Sequence, residues 1–589
     1  MLTEFAVGNF KAFQDSQRLE IRRVNAIFGP NSAGKSSFIH ALLLAQAAFR
    51  TGNFDVRRIS ADVDLGGFRT FVHGQDPHRD VKLSLQVAPQ KHRANGGIKS
   101  VRVAVEIGLH FGEVQSKCLQ YFVDSAFVLE LKLDQRDAIL NISDIGMTSP
   151  LLRELGGRFT AQVASLIGRE VTDVFRNAVD SFVQNVLKGT NLVEVRYFFS
   201  ESYRAALERK ANAAHTPQPT RRPDPWVEPE LRDLERVHDT LTVVQIIKNK
   251  SALQALLGTY LDDIYSVLEN PEAESHIQQL MRGQYPKKGE SHPEWWNELF
   301  SPDHNSVQRM AKASALLHGA RRLRRHIQEI ALMLQSYVTE DVDSVAHIGP
   351  LRWYPDKVIE GEPLSAHHES TTGEAAWLQL VDDAQLRDRV NTALQRLGMH
   401  YAVSVRAMYD HNSVVALIEG AGHKAIWDRL HRLTPDRREL VLTDTRSGLY
   451  VRHRDVGVGV SQVLPPIVAT LAAQPNQLTS IEQPELHLHP RLQTELADVF
   501  IEASNYGKTV FLETHSEHLL LRFLRRIRET TEQRIAQPEL RFSTSRLQVV
   551  YAEPTLQGTI MRTLEITPEG EFAQFWPEGF FADRAEELY

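Results

Sequence analysis

Gly29-Pro30-Asn31-Ser32-Ala33-Gly34-Lys35-Ser36, with Ser37 beside it, decides how this sequence is read. The octapeptide has the spacing G-x-x-x-x-G-K-[ST], and its flanks agree with that spacing. The apolar run Val24–Phe28 ends the segment Ile21–Phe28, which reads as a strand, and Ser36–Phe49 has the apolar content and length of a buried helix. Glycines let the backbone wrap an anion, so that N–H groups and the helix N-terminus face the negative charge. In such a loop Lys35 reaches the β- and γ-phosphates, and the Ser36 hydroxyl coordinates Mg²⁺. An accidental glycine-rich turn is the competing reading, and the strand before and helix after weigh against it.

More than 400 residues later come residues that would complete such a site. Leu478-Thr479-Ser480-Ile481-Glu482 reads as a short strand ending in a carboxylate, as needed to hold the Mg²⁺ shell opposite the phosphate loop. It continues as Gln483-Pro484-Glu485-Leu486-His487-Leu488-His489-Pro490. A further strand, Thr509–Glu513, runs into Thr514-His515-Ser516, which places a histidine at a strand end beside the γ-phosphate. Upstream lies Asp455-Val456-Gly457-Val458-Gly459-Val460-Ser461-Gln462, small residues and a serine read as standing just before a helix, Val463–Ala473. One nucleotide cannot use two phosphate-binding loops of the same fold. The serine is therefore expected to cap the γ-phosphate held by a second copy of the chain.

This order of motifs resembles the SMC, RecF and OLD branch of ABC ATPases. Glu482–Pro490, Ile348-Gly349-Pro350-Leu351-Arg352 and Trp576-Pro577-Glu578-Gly579-Phe580-Phe581 are similar to OLD-like ATPases of bacterial defence islands, among them the ATPase subunits of Septu and retron-associated systems. The likeness covers about residues 1–90 and 345–589. It implies ATP and Mg²⁺ as cofactors, with Gly29–Ser37 on the phosphates, Ser36 and Glu482 on the metal, Gly457, Gly459, Ser461 and Gln462 as the signature loop acting in trans, and His515 as the switch histidine. The Q-loop that contacts metal and water falls within Leu65–Gln75, where His73 and Gln75 are both candidates. One departure stands out. The position after the metal carboxylate usually holds the glutamate that polarises water; here it is Gln483. An amide cannot accept the proton, so turnover is expected to be slow unless Glu485 substitutes.

The rest of the chain frames these motifs. The expected fold is α/β: an ABC-type ATPase head with a mixed sheet and flanking helices, an antiparallel β layer, and a large helical insertion. Residues 1–150 form the N-terminal lobe, 151–345 the mainly helical insertion with a linker near 211–225 (Ala211–Pro225), and 346–589 the C-terminal lobe. Leu2–Phe13, Val81–Val87, Val101–Phe111 and Phe122–Leu133 read as strands. Ala161–Lys188, Glu230–Leu268 and Val307–Tyr337 read as helices, with a strand at Leu192–Phe199 between them. Strands return at His347–Leu351, Tyr401–Ala407, Ser413–Glu419 and Glu439–Thr443.

The 589 residues, 42% hydrophobic and 24% charged, have a single cysteine and no apolar run near the ~20 residues of a membrane span. Together with the absence of an apparent secretory signal, this leads us to expect a cytoplasmic protein without a membrane partner. A net charge of −7 gives no global attraction to nucleic acid, so any such contact must use a local basic face. Arg321–Arg325, Arg429–Arg438 and Arg522–Arg528 are candidate faces, although basic clusters on helices are more often solvated or ion-paired. His487 and His489 lack further ligands at zinc spacing. Cys118 reads as a buried neutral thiol, and Trp295-Trp296 and Trp353-Tyr354 as core.

About 70 residues follow His518, too few for the Toprim nuclease module of OLD nucleases. The expectation is a sensor or scaffold ATPase that dimerises around ATP and controls a separate effector, such as a nuclease. The alternative is a RecF-like DNA-repair ATPase that clamps DNA; a transporter ATPase fits poorly, because Lys35 and Ser461 lie so far apart.

Overall fold

In the first part of the chain, β1 (Leu2–Gly8) and β2 (Gln17–Glu20) form an antiparallel pair, and β3 (Val24–Phe28) leads into α1 (Lys35–Thr51). There follow β4 (Val81–Val87), β5 (Val101–His110), β6 (Glu113–Val123), β7 (Ala126–Leu133), β8 (Ile139–Ile145), α2 (Pro150–Ile167) and β9 (Asn191–Glu194). The last part holds β10 (Ala346–Ile348), β11 (Ile359–Glu360), α3 (Glu374–Asp382), α4 (Ala384–Arg396), β12 (Tyr401–Met408), β13 (Arg437–Asp444) and β14 (Tyr450–Val451). It ends with α5 (Val458–Ala472), β15 (Leu478–Glu482), α6 (Pro490–Asn505), β16 (Thr509–Glu513), α7 (Glu517–Thr531), β17 (Leu547–Thr555) and β18 (Gly558–Leu564).

This computed structural model describes residues 1–59, 63–89, 98–133, 139–146, 149–167, 176–177, 179–180, 191–194, 326–352, 359–360, 373–409, 415, 437–451, 455–574 and 576–577. The linker at 211–225, the helices expected over 230–268 and most of 307–337, Trp295-Trp296, Trp353-Tyr354 and the clusters at 321–325 and most of 429–438 lie outside them, as does the strand expected at 413–419 except Val415, which is helical. Among the described residues no helix is long and apolar enough to cross a membrane.

Two units divide the chain. One comprises Met1–Ala47, Asp55–Leu83 and Asp341–Tyr589. Its central sheet runs β10-β15-β16-β3-β17-β18, parallel from β10 to β17, with β18 antiparallel at the edge. All residues of β3, β15 and β16 are buried, which is why their sequences are nearly continuous apolar runs rather than alternating ones. α5, α6 and α7 bury Val463, Ile467, Phe500, Leu519 and Phe523 in the core these strands share. A smaller antiparallel sheet pairs β13 with β11, β12 and β14. The other unit, Ala48–Phe54 and Ser84–Glu340, carries a meander from β5 through β6, β7 and β8 to β9, antiparallel throughout. The fold is therefore α/β: a mainly parallel sheet with flanking helices in one unit and an antiparallel meander in the other.

Several boundaries differ from the sequence reading. Leu2–Phe13 is strand only to Gly8; Asn9 and Lys11 then adopt left-handed backbone (φ 60° and 43°) in a tight turn. Phe122–Leu133 is split by a two-residue turn at Asp124-Ser125, both left-handed (φ 49° and 69°). That conformation normally calls for Asn-Gly or Asp-Gly, so the residues gave no warning. Helix α5 begins at Val458, five residues before the expected Val463, so Ser461 lies inside it. Gly457, Gly459 and two prolines had disguised that start.

Cys118 is buried, and burial, with Glu130 and Glu106 beside it, pushes its thiol up to about 12. In the basic run 522–528, Arg522 and Arg526 pair with Asp498, and Arg525 with Glu529, which matches the ion-paired reading of that cluster.

Lys508 closes the C-terminal end of α5. Its Nζ donates to Thr470 O (3.4 Å) and Leu471 O (2.5 Å), where Arg389 Nη1 also donates to Leu471 O (3.1 Å). Burial, reinforced by Arg389, lowers the Lys508 ammonium to about 8. The unfolded chain then holds the proton more tightly between pH 8 and 10.5, so stability from this group rises with pH across that window. Lys508→Met should remove that contribution, worth at most roughly 3 kcal/mol. Urea titrations of both proteins at pH 7.5 and 10 check this: the variant's relative stability should fall at the higher pH.

Candidate nucleotide site

β3 ends at the loop that begins with Gly29. Gly34 has φ 83°, and a Cβ there would lie 2.5 Å from the Ala12 Cβ, so the turn admits only glycine. Thr559 on β18 braces the loop from outside, through Thr559 Oγ1 to Ala33 O (2.9 Å) and Thr559 N to Ala12 O (2.8 Å). Ser32 is also left-handed (φ 62°). Lys35 is buried, and its Nζ donates inside the loop to Gly29 O (3.1 Å) and Pro30 O (2.8 Å). Burial lowers its pKa, against the pull of Glu513 and Glu485.

Two carboxylates end the strands beside the loop. Glu482 and Glu513 are register partners at the ends of the adjacent parallel strands β15 and β16, so their side chains leave the sheet on the same face. The Ser36 hydroxyl donates to Glu513 Oε2 (2.7 Å). Burial, then the Glu482 charge, raises the Glu513 carboxyl to about 7. Burial would raise Glu482 too, but His347, His40 and Ser36 outweigh it and hold it below the ordinary glutamate value. Holding two carboxylates together is unfavourable, and a divalent cation between them would relieve it. Ser36, Glu482 and Glu513 supply the hard oxygen donors such a cation prefers, so these residues fit Mg²⁺.

The loop after β15 is shaped by two non-glycine left-handed residues, Gln483 (φ 45°) and His487 (φ 62°). Gln483 N donates to Glu513 O (2.7 Å), which fixes the Gln483 backbone. Glu485 Oε1 accepts the backbone N–H of His515 (2.8 Å), and burial raises this carboxyl. Burial and Lys35 lower the His515 ring pKa. His487 and His489 are exposed, and His489 caps α6.

Lys35, Ser36, Glu482, Gln483, Glu485 and His515 therefore converge on the ends of three neighbouring strands. The Q-loop candidates separate: His73 Nδ1 donates to Lys11 O (2.8 Å) and its N–H to Asn9 O (3.0 Å), whereas Gln75 is exposed. Ser461 and Gln462 are buried in the first turns of α5, Ser461 only 1% exposed.

Five residues at the site escaped the sequence reading. Lys11 Nζ donates to His40 Nδ1 (2.8 Å), which puts the His40 proton on Nε2, 3.9 Å from Glu482 Oε1. Burial and Lys11 lower His40 to about 4, so this ring is neutral. His347 Nε2 lies 3.4 Å from the same Glu482 oxygen. Arg352 and Glu513 complete the set. His40 was readable, since it stands at i+4 from Ser36 on α1. His347 and Arg352 required knowing that β10 lies beside β15.

Residues 295–522 match the domain family described as "AAA domain, putative AbiEii toxin, Type IV TA system". The match is under half of the chain; it takes in Arg352, Ser461, Glu482 and His515 but not the phosphate loop. Among solved structures the chain is similar to the SMC head domain from Thermotoga maritima (9% identity, 96% of this chain and 99% of that chain, TM-score 0.32). It is also similar to the Smc head domain with a coiled coil and joint derived from Pyrococcus yayanosii (11% identity, 100% and 99%, TM-score 0.35). No curated protein matches.

Proposed function

We propose that the protein binds Mg·ATP at Gly29–Ser37, hydrolyses it slowly, and completes each site with the signature turn of a second copy. The observation that carries the nucleotide reading is the convergence of Lys35 and the Ser36–Glu513–Glu482 cluster at adjoining strand ends. Bound Mg²⁺ would polarise the β- and γ-phosphate oxygens. Lys35 would exchange its loop carbonyls for those oxygens, and Ser36 and Glu482 would hold the metal with Glu513 alongside. The Gln483 amide would orient water without taking its proton. Glu485, raised by burial and already on the His515 backbone, would accept it.

Slow turnover would keep a closed, ATP-loaded pair in place, as suits a sensor or scaffold that controls a separate effector such as a nuclease. The resemblance of Glu482–Pro490 to OLD-like ATPases of defence islands is what supports a role in defence. Ser461→Arg tests the shared site. It should bind ATP with near-parent affinity but fail to self-associate when Mg·ATP is added, as read by sedimentation velocity. A variant that still pairs would remove Ser461 from the interface.

A further inference from the structure

Pro465 and Pro466 stand inside α5. Proline has no N–H, so the helix bonds from these positions back to the carbonyls of Ser461 and Gln462 are absent. Arg352 supplies a donor at one of them: Arg352 Nη1 donates to Gln462 O (3.2 Å), and Gln462 Nε2 donates back to Arg352 O (3.3 Å). The other end of the same guanidinium grips the acidic loop, with Nη2 donating to Glu482 O (2.7 Å) and Gln483 O (3.0 Å). Arg352 is 5% exposed; burial lowers it to about 10, so it stays charged at neutral pH. The two elements also touch directly, since a Cβ on Gly459 would lie 2.9 Å from His487 O.

We infer that Arg352 is a positioning residue that couples the signature turn of α5 to the Glu482–Leu488 loop within one protomer. The coupling rests on the shared-site reading for its purpose. Ser461 is buried in the lone chain, so reaching a second copy's phosphate requires the first turns of α5 to move. The prolines weaken the tie between those turns and the rest of the helix. The rigid guanidinium fork replaces it with a tie to Glu482 and Gln483. Engagement of Ser461 by a second copy thereby shifts the Gln483 backbone and sets the water-side geometry.

Two substitutions perturb the coupling from opposite ends, one removing the guanidinium fork and the other restoring the helix tie that the fork replaces. Arg352→Lys keeps the charge but cannot span both sets of carbonyls. Pro466→Ala leaves Arg352 intact and returns a helix donor to Gln462 O. The experiment measures ATP affinity, Mg·ATP-driven self-association, KM, kcat and melting midpoint of the full chain for the parent and both variants. Affinity, KM and self-association should stay within about threefold, while kcat falls roughly tenfold in both. A purely structural arginine would instead lower the melting midpoint without this split between kcat and KM. Should Arg352→Lys fail to fold, Pro466→Ala decides alone. A folded variant with kcat within about twofold of the parent overturns the coupling. If it still self-associates with ATP, the shared-site reading survives. A parent that does not pair, with kcat nonetheless lost in the variants, keeps the link and removes the shared site.

Discussion

Lys35→Ala should abolish useful ATP binding while leaving the protein folded. The ammonium is buried at the mouth of α1, and in the free protein it is satisfied by the Gly29 and Pro30 carbonyls rather than by a distant partner. Truncation therefore removes two loop hydrogen bonds, each worth about 1 kcal/mol, and also a buried charge that the fold disfavours. The two effects offset, so the melting midpoint should change little. For a bound nucleotide nothing offsets the loss. Removing one partner of a buried, hydrogen-bonded charge pair costs about 2–5 kcal/mol, roughly thirtyfold to several thousandfold in affinity. Titration with a fluorescent ATP analogue measures it, and equal affinity in variant and parent would sink the phosphate-loop assignment.

The second large effect is expected at Gln483. Its backbone is fixed on both sides, by its N–H to Glu513 O and its carbonyl to Arg352, so a glutamate there would occupy the same place and add the missing base. General-base help is typically worth about 10²–10⁴-fold, so Gln483→Glu should accelerate single-turnover hydrolysis by up to a factor in that range, and by less to the extent that Glu485 already serves as base. It should also destabilise the metal-free protein, because the new carboxylate joins Glu482, Glu485 and a Glu513 already raised to about 7. Glu485→Gln separates the remaining cases. The amide oxygen can still accept the His515 N–H, so a fall in rate would report loss of a base rather than loss of the loop. An unchanged rate would move the role to His515.

Much of this site was legible in the sequence because its parts are local. Leu478–Glu482 and Thr509–Glu513 coincide with β15 and β16 end to end, since strands buried on both faces are written as short apolar runs with sharp limits. The phosphate loop, the carboxylate at Glu482 and the histidine at His515 follow from such runs and the residues after them. What was not legible depends on strand order. Glu513 becomes a partner of Ser36 only because β16 lies between β15 and β3. Arg352 and His347 enter only because β10 pairs with β15, at a separation of about 130 residues that no local pattern encodes. The early start of α5 was hidden for a related reason: glycine and proline argue against a helix, and the contacts with Arg352 and His487 override them.

The shared site is tested most directly by mixing two inactive variants. A Lys35→Ala copy keeps its signature turn and a Ser461→Arg copy keeps its phosphate loop, so a mixed pair contains one complete site. Each variant alone should hydrolyse no ATP in single-turnover assays. Neither variant pairs with itself around ATP, so the pairs that form are mixed, and the equimolar mixture should recover up to about half of parent activity because each pair has one of two sites intact. A mixture that stays as inactive as its components would contradict the account.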